Sequence, residues 1–199
     1  MIMLNWVLKM YQFVLYPDID SCLGCKTCEI ACAIEHSKGK DLVSAVLQRV
    51  KPHIDVVYVG IPVPMNCRHC ENAPCLEVCP TGAIDRASKD GPVIIDTSKC
   101  IGCRSCVVVC PYGAIRFEKV AYKCDQCNER LANGLTPACV EACPVNALKF
   151  ERVEEIAKRE KVEAARRFVY AREVEKEVKE IKETKRTTAA FRDLIWVVR

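Results

Sequence analysis

Sixteen cysteines in a chain of 199 residues limit what this sequence can fold into more than any other feature. They form four groups of four, with two residues between the first and second cysteine and three between the third and fourth. The middle gap is two residues in the first and third groups, four in the second and eleven in the last. The groups are Cys22, Cys25, Cys28, Cys32; Cys67, Cys70, Cys75, Cys79; Cys100, Cys103, Cys106, Cys110; and Cys124, Cys127, Cys139, Cys143.

Three of the groups end in the same turn, which indicates that they are repeats of one unit. The last cysteine is followed at once by proline, and two residues later by Gly82, Gly113 or Asn146. Proline fixes its own φ angle, while glycine and asparagine tolerate the left-handed backbone conformation that other residues avoid. The sequence therefore predicts one tight turn after the last cysteine of the second, third and fourth groups.

Three closely spaced cysteines suit a metal centre larger than a single ion. They wrap a loop around one side of an iron–sulfur cube, and the intervening backbone N–H groups can point at its sulfur atoms. The fourth thiolate must come from elsewhere, and in two-cluster ferredoxins it is the distant cysteine that precedes proline. The sequence thus predicts four [4Fe–4S] clusters, with iron bound through all sixteen cysteines. Zinc knuckles need no third cysteine followed by Cys-Pro, so a zinc-stabilised interaction module is the weaker alternative.

Charge and hydropathy favour a cytoplasmic protein without a nucleic-acid partner. The formal net charge of +4 omits the clusters, and each adds roughly −2 with its thiolates when oxidised. The loaded protein is then mildly acidic. Residues 1–16 are too short and too polar to span a membrane and lack the pattern of a secretory signal. Residues 1–9 are interpreted as an extension, because Met10 equally suits the start of the chain.

Short apolar runs beside the cysteine groups predict the small strands of an α+β fold. Strands are expected at residues 11–16, 56–59, 93–95 and 115–117. The second of these is expected to end at Pro62 and Pro64, inside a connector that covers residues 33–66. A short helix is expected after each cysteine triad.

After about residue 150 the composition changes to Glu, Lys, Arg and Val. Val174, Val178 and Ile181 share one face at helical spacing, and oppositely charged side chains lie one turn apart, so residues 151–186 are predicted to be helical. A solvated helix packed by one edge is preferred, with a partner-docking helix as the alternative. The apolar side chains of residues 191–198 are expected to cover a surface of this protein or of a partner.

Three local sequences carry a resemblance to a known family. They are Cys22-Leu-Gly-Cys-Lys-Thr-Cys-Glu-Ile-Ala-Cys32, Glu35-His-Ser37 and Cys67-Arg-His-Cys-Glu-Asn-Ala-Pro-Cys75. With the four groups in this order, the chain resembles the four-cluster ferredoxin subunits of molybdopterin and tungstopterin oxidoreductases, formate dehydrogenases and hydrogenases, and the carbon monoxide dehydrogenase iron–sulfur protein. The resemblance covers about residues 11–150.

The resemblance implies crossed ligation, in which each triad shares its cluster with the last cysteine of another group. The implied ligand sets are Cys22, Cys25, Cys28 with Cys143; Cys124, Cys127, Cys139 with Cys32; Cys67, Cys70, Cys75 with Cys110; and Cys100, Cys103, Cys106 with Cys79. It also implies two ferredoxin-like lobes of the βαββαβ type, one inserted in the other. The outer lobe comprises residues 10–60 and 117–150, and the inner lobe comprises residues 61–116. The resemblance does not extend to residues 151–199, which composition and helical spacing alone predict to be a helical tail suited to docking a partner.

By the same resemblance, the chain is a non-catalytic electron-transfer subunit of an oxidoreductase complex in anaerobic metabolism. It relays single electrons between a large catalytic subunit and a second redox partner, such as a soluble ferredoxin, a flavoprotein or a hydrogenase. A free polyferredoxin that serves several enzymes is the alternative. No nucleophile accompanies Glu35 and His36, so these are interpreted as a structural polar pair and no catalytic residue is predicted.

Four cations lie beside ligand positions, namely Lys26, Arg68, Arg104 and Lys123. They are interpreted as ordinary solvated charges, with an electrostatic effect on the nearby clusters as the alternative. His69 belongs to a group whose four cysteines are complete. It is therefore interpreted as a hydrogen-bond donor or a packing residue rather than as a ligand.

Overall fold

The computed structural model describes the backbone of residues 13–89 and 91–197, and the side chains of these residues as far as residue 184. The chain divides after Val153 into two units, residues 1–153 and 154–199. Within the described residues, no helix combines the length and the apolar character that crossing a bilayer requires.

The first unit contains short helices, and four of them mark the cysteine motifs. The helices are α1 (Thr27–Glu35), α2 (Leu42–Leu47), α3 (Pro74–Glu77), α4 (Ser105–Val109), α5 (Asn128–Ala132) and α6 (Ala138–Glu141). The helices α1, α3, α4 and α6 each begin one residue before the third cysteine of a motif, so that cysteine lies in the first turn. The expected position, after the whole triad, is therefore wrong by two residues. Lys26 and Arg104 precede α1 and α4 in the left-handed conformation, with φ angles of 61° and 65°, and turn the loop into the helix.

The strands pair into four two-stranded antiparallel sheets. The pairs are β1 (Phe13–Pro17) with β8 (Leu148–Arg152), β2 (Asp55–Tyr58) with β3 (Pro62–Met65), β4 (Ile84–Arg86) with β5 (Val93–Ile95), and β6 (Arg116–Phe117) with β7 (Ala121–Tyr122). Small sheets combined with short helices confirm the α+β class. The pairing of β1 with β8 brings the first and last strands of this unit side by side.

The connector between the first two motifs differs from its prediction. Its expected strand is present as β2, but Pro62 and Pro64 do not end the sheet because they lie in β3, opposite Tyr58 and Val56. Proline is tolerated in a strand with a free edge, since its missing N–H can face away from the partner strand. The connector also contains α2, whose N-terminus is capped by Asp41: the Ser44 backbone N–H donates to the Asp41 carboxylate at 2.8 Å.

The repeated turn after the last cysteine is confirmed. Gly82, Gly113 and Asn146 have φ angles of 62°, 58° and 51°. All three angles are in the left-handed region, where glycine and asparagine cost least. The turn is therefore built by the same residue types at the same distance from cysteine in three separate motifs.

The interior of the first unit consists of two apolar clusters that contain many of the cysteines. In one, Leu15, Ile54, Val56 and Leu148 pack with Cys28, Cys32, Cys124 and Cys139. In the other, Ala73, Ile84, Val93, Ile115 and Ala121 pack with Cys106 and partly buried cysteines. Cysteine and alanine are small, so these interiors have fewer large side chains than an ordinary core of similar extent.

The second unit is a single long helix, α7 (Val153–Val197). Val174, Val178 and Ile181 are exposed on it. Arg166 donates to Glu163 one turn earlier at 2.7 Å. The side chains of residues 191–198, expected to cover a surface, lie outside the described side chains.

Candidate metal centres

Three cavities in the first unit are each lined by four cysteines. A cavity of about 310 Å³ is lined by Cys22, Cys25, Cys28 and Cys143. A cavity of about 360 Å³ is lined by Cys67, Cys70, Cys75 and Cys110. A cavity of about 340 Å³ is lined by Cys79, Cys100, Cys103 and Cys106. In each cavity three cysteines come from one motif, and the fourth is the last cysteine of a different motif.

The remaining four cysteines lie together in the interior. Cys32, Cys124 and Cys139 belong to the same buried cluster of side chains. Burial raises the pKa of Cys139 well above its ordinary value, and the charges of Cys124, Cys127 and Cys32 raise it further. Cys127 is buried as well, and the charge of Cys32 is among those that raise its pKa. Three of these four are again one triad, and Cys32 is the last cysteine of the first motif.

The chemistry of these thiols fits a metal centre. Burial raises the pKa of Cys28 to about 11 and that of Cys127 to about 12. Buried thiols such as these two stay protonated unless a positive centre compensates their charge, because burial and like charges both disfavour thiolate. Iron supplies that compensation, and binding then releases the protons. The cysteines present are therefore suited to a cluster with four thiolate ligands.

Backbone N–H groups point at several of the cysteine sulfurs. Donors at His53 and Ala147 lie 3.2 Å from the Sγ atoms of Cys32 and Cys143. Donors at His69 and Gln126 lie 3.4 Å from the Sγ atoms of Cys67 and Cys124. Such bonds stabilise negative charge on sulfur and raise the reduction potential of a bound cluster. Of these donors, His69 and Gln126 lie between the cysteines of a triad, so these two loops present N–H groups to cysteine sulfur.

His69 has a buried hydrogen-bond donor, which is a second observation in favour of a cluster in the cavity that it lines. The Val93 backbone N–H donates to His69 Nδ1 at 3.0 Å, so the ring proton is on Nε2. Nε2 is buried and has no hydrogen-bond partner in the part of the chain that the structure describes. Burial, aided by the charge of Lys123, lowers the pKa of His69 to about 3, and the ring stays neutral. His69 lines the cavity of Cys67, Cys70, Cys75 and Cys110, where sulfur atoms of a bound group can accept this proton.

Comparison with known proteins decides the family. The model of a "4Fe-4S dicluster domain" matches residues 58–153, and that of a "4Fe-4S binding domain" matches residues 19–33. An "Iron-sulfur protein" from Rhodospirillum rubrum is 43% identical over 140 residues, which are 62% of this chain and 73% of that protein. The chain belongs to this iron–sulfur protein family. Its predicted binding of 4Fe-4S clusters is thereby confirmed.

Two further relatives are an electron transport protein and a component of a reductase. "Electron transport protein HydN" of Escherichia coli strain K12 is 40% identical over 140 residues, 61% of this chain and 78% of the relative. A component of the anaerobic dimethyl sulfoxide reductase of the same strain is 36% identical over 145 residues, 63% of this chain and 66% of the relative. The prediction of a non-catalytic electron-transfer protein is confirmed.

Lys123 is not the solvated charge that the sequence suggested. It is only 3% exposed, and its ammonium group donates to the backbone carbonyls of Val93 and of Cys124, the latter at 2.9 Å. Ala121, two residues earlier, is also buried, and residues two apart in extended chain face the same side. Lys26 and Arg104, by contrast, are exposed as expected, and the Arg104 guanidinium lies 4.5 Å above the Phe117 ring.

Glu35 and His36 have separate structural partners. Glu35 accepts from Lys40 at 2.9 Å and from Arg130 at 3.1 Å. His36 donates from Nδ1 to the Cys32 carbonyl at 2.8 Å, and its Nε2 lies 3.2 Å from Asp125. Burial opposes the charge on His36, but Asp125 and Cys32 outweigh it and raise the His36 pKa to about 11. Asp125, which no pattern in the sequence singled out, is therefore an anchor for the loop around Cys32.

Proposed function

We propose that this protein holds four [4Fe–4S] clusters, ligated across motifs as the resemblance implies. The observation that carries the proposal is the composition of the three cavities, each with a triad and the last cysteine of another motif. The same rule describes the buried group of Cys32, Cys124, Cys127 and Cys139. A bound cluster changes charge by one electron while its ligands barely move.

The same observations support two nested ferredoxin-like lobes. Residues 10–60 and 117–150 form the outer lobe in this proposal, and residues 61–116 form the inner lobe. The strand pairing between β1 and β8 and the first apolar cluster join distant parts of the outer lobe. The second apolar cluster draws mainly on residues 70–115, with Phe117 and Ala121 just beyond the proposed boundary.

In this proposal the protein is the iron–sulfur subunit of a larger oxidoreductase. It relays single electrons between a catalytic chain and an external redox partner. The catalytic chain is a tungsten or molybdenum pterin enzyme, a carbon monoxide dehydrogenase, a formate dehydrogenase or a hydrogenase. Two similar proteins are named as components of reductases, one of the anaerobic dimethyl sulfoxide reductase of Escherichia coli and one of the tetrathionate reductase of Salmonella typhimurium.

An exposed apolar surface on α2 supports a protein partner. Leu42, Val43, Val46 and Leu47 are each more than half exposed on this six-residue helix. Contiguous apolar side chains of this kind are uncommon on a protein that works alone in water. A free polyferredoxin shuttle has less use for such a surface than a subunit with a permanent partner.

Oxygen-free isolation from the native source tests the proposal. We expect about sixteen iron and about sixteen acid-labile sulfide per chain, together with a large catalytic chain in stoichiometric amount. Stoichiometric zinc in place of iron, or iron for only two clusters, would overturn the four-cluster proposal. Isolation of a fully loaded chain without any partner under mild conditions would overturn the subunit assignment in favour of a free polyferredoxin.

A further inference from the structure

Lys123 is a buried cation whose hydrogen-bond acceptors are uncharged. Its ammonium group donates to the carbonyl oxygens of Val93 and Cys124. Among the described residues, Lys40, Lys99 and Lys149 have carboxylate oxygens within 3.3 Å, while no carboxylate lies at ion-pairing distance from Lys123. Removing an ammonium group from water is costly unless a negative charge compensates it. The anion that offsets this burial is therefore expected from something other than the described side chains.

The two carbonyls that hold Lys123 belong to the walls of two different metal sites. Val93 lines the cavity of Cys67, Cys70, Cys75 and Cys110, and its N–H fixes the ring of His69 in the same wall. Cys124 belongs to the buried group with Cys32, Cys127 and Cys139. One hydrogen-bonded path thus runs from His69 through Val93 to Lys123 and on to Cys124.

Lys123 acts on both sites through protein rather than through water. Its residue is only 3% exposed, and the two carbonyls that accept from its ammonium group belong to the walls of the two sites. A cation that favours thiolate also favours the negative charge of a cluster, since both effects are Coulomb attraction in a medium that screens poorly. Each [4Fe–4S] cluster with four thiolates carries net negative charge.

We propose that Lys123 is the counter-ion shared by the two clusters whose sites flank it, and that its charge raises the reduction potential of both. The inference rests on the proposed four-cluster arrangement. An added electron makes a cluster more negative, so a fixed positive charge beside it stabilises the reduced form. Lys123 belongs to the proposed outer lobe and donates to Val93 of the inner lobe, and its charge favours residence of the electron on the two sites that it joins.

Redox titration of purified holoprotein, followed by electron paramagnetic resonance, tests this role. In the variant Lys123→Met, which keeps a similar chain length without charge, we expect two of the four reduction steps to move to more negative potential. Lys123→Arg keeps the charge and is expected to restore those steps towards the wild-type values. The matched control is Lys99→Met, because Lys99 also directly precedes the first cysteine of a triad but has a side chain that is 62% exposed. Water screens an exposed charge, so Lys99→Met is expected to leave all four steps nearly in place.

Shifts in Lys123→Met no larger than those in Lys99→Met would overturn the counter-ion role. If Lys123→Met fails to retain iron, Lys123→Gln, an uncharged donor, and Lys123→Arg decide the matter. Iron retained by Lys123→Arg and lost from Lys123→Gln supports a requirement for charge, while iron lost from both variants overturns it. Iron content and partner binding of the wild-type protein are measured separately. Four clusters with unmoved potentials in Lys123→Met would therefore refute this inference and leave the proposed function standing.

Discussion

Cys79 and Cys110 are the last cysteines of the second and third motifs, and each lines the cavity of the triad in the other motif. Cys79 lies with Cys100, Cys103 and Cys106, while Cys110 lies with Cys67, Cys70 and Cys75. Both are followed by proline and a left-handed glycine, the turn that carries the chain away from one triad towards the other site. The exchange ties the second and third motifs together, since neither cavity is complete without the other motif.

Iron counts in double variants test this exchange without any spectroscopic assignment. Cys79→Ala combined with Cys103→Ala removes two ligands of one site in the crossed arrangement, so we expect a loss of about four iron. Cys79→Ala combined with Cys70→Ala removes ligands of two sites, and a loss of about eight is expected. If each motif instead ligated its own cluster, the first double variant would lose more iron than the second. The comparison is made on protein prepared without oxygen.

Removal of the clusters is expected to unfold the first unit. Cysteines are part of both apolar clusters, and without metal their thiols line pockets that no side chain fills. Metal binding in such proteins contributes directly to the free energy of folding. Circular dichroism after chelation should show loss of the strands and short helices and no cooperative melting transition. A native-like spectrum with a cooperative melt in iron-free protein would contradict this expectation.

His69→Phe is expected to lower the reduction potential of one cluster. The substitution keeps a flat ring in the cavity wall but removes the buried Nε2–H donor. Loss of a hydrogen bond to sulfur disfavours the more negative, reduced cluster. Tyr112→Phe is a suitable control, since Tyr112 lines the same cavity and is partly exposed. Equal potentials in wild type and His69→Phe would show that Nε2 donates to no cluster atom.

Gly102→Ala is expected to reduce stability more than Gly82→Ala. Both glycines have positive φ angles, 72° and 62°, which cost an alanine roughly 1–2 kcal/mol. At Gly102 a Cβ atom would also lie 3.2 Å from the Lys119 carbonyl oxygen, whereas nothing lies within 4 Å of it at Gly82. The difference is measured as the fall in the thermal unfolding temperature of each variant, with all proteins heated at the same scan rate. Equal losses would mean that the Lys119 carbonyl moves aside.

The contribution of Glu35 to stability is expected to depend on pH. Burial opposes the charge on Glu35, but hydrogen bonds from Lys40 and Arg130 outweigh it and lower the pKa of Glu35 below 4.5. A folded-state pKa below the unfolded one gives stability that is present at neutral pH and is lost as pH falls through the folded value. Glu35→Gln should therefore cost on the order of 1 kcal/mol at pH 7, and the difference from wild type should shrink towards pH 4.

A denaturant titration at several pH values measures this difference. Glu129→Gln is the control, because Glu129 also pairs with Lys40 but its side chain is largely exposed. We expect Glu129→Gln to change stability little at any pH. A Glu35→Gln deficit that stays constant down to pH 4 would assign the loss to packing rather than to the ion pairs.

The sequence predicts the parts of this molecule that depend on local chemistry. The triads and the turns at Gly82, Gly113 and Asn146 follow from residue types at fixed spacing. The burial of Lys123 and the strand that contains Pro62 and Pro64 depend instead on which distant segment packs against them. A lysine beside a ligand looks the same in sequence whether its neighbour is water, as at Lys99, or the carbonyl of Val93. The segment that packs against the lysine decides whether its side chain is buried, and the residues beside it in the sequence do not show which segment that is.

The walls of the cavity that holds Cys22 come from nearly opposite ends of the first unit. Its fourth cysteine is Cys143, and the adjoining sheet pairs β1 with β8. All the residues that line the cavities of the second and third motifs have been synthesised once the chain reaches Ala121, before Cys143 is made. On a chain that grows from its N-terminus, these two inner sites can therefore assemble first. Cys22, Cys25 and Cys28 are the first cysteines to be synthesised, yet their site stays incomplete until Cys143 has been added.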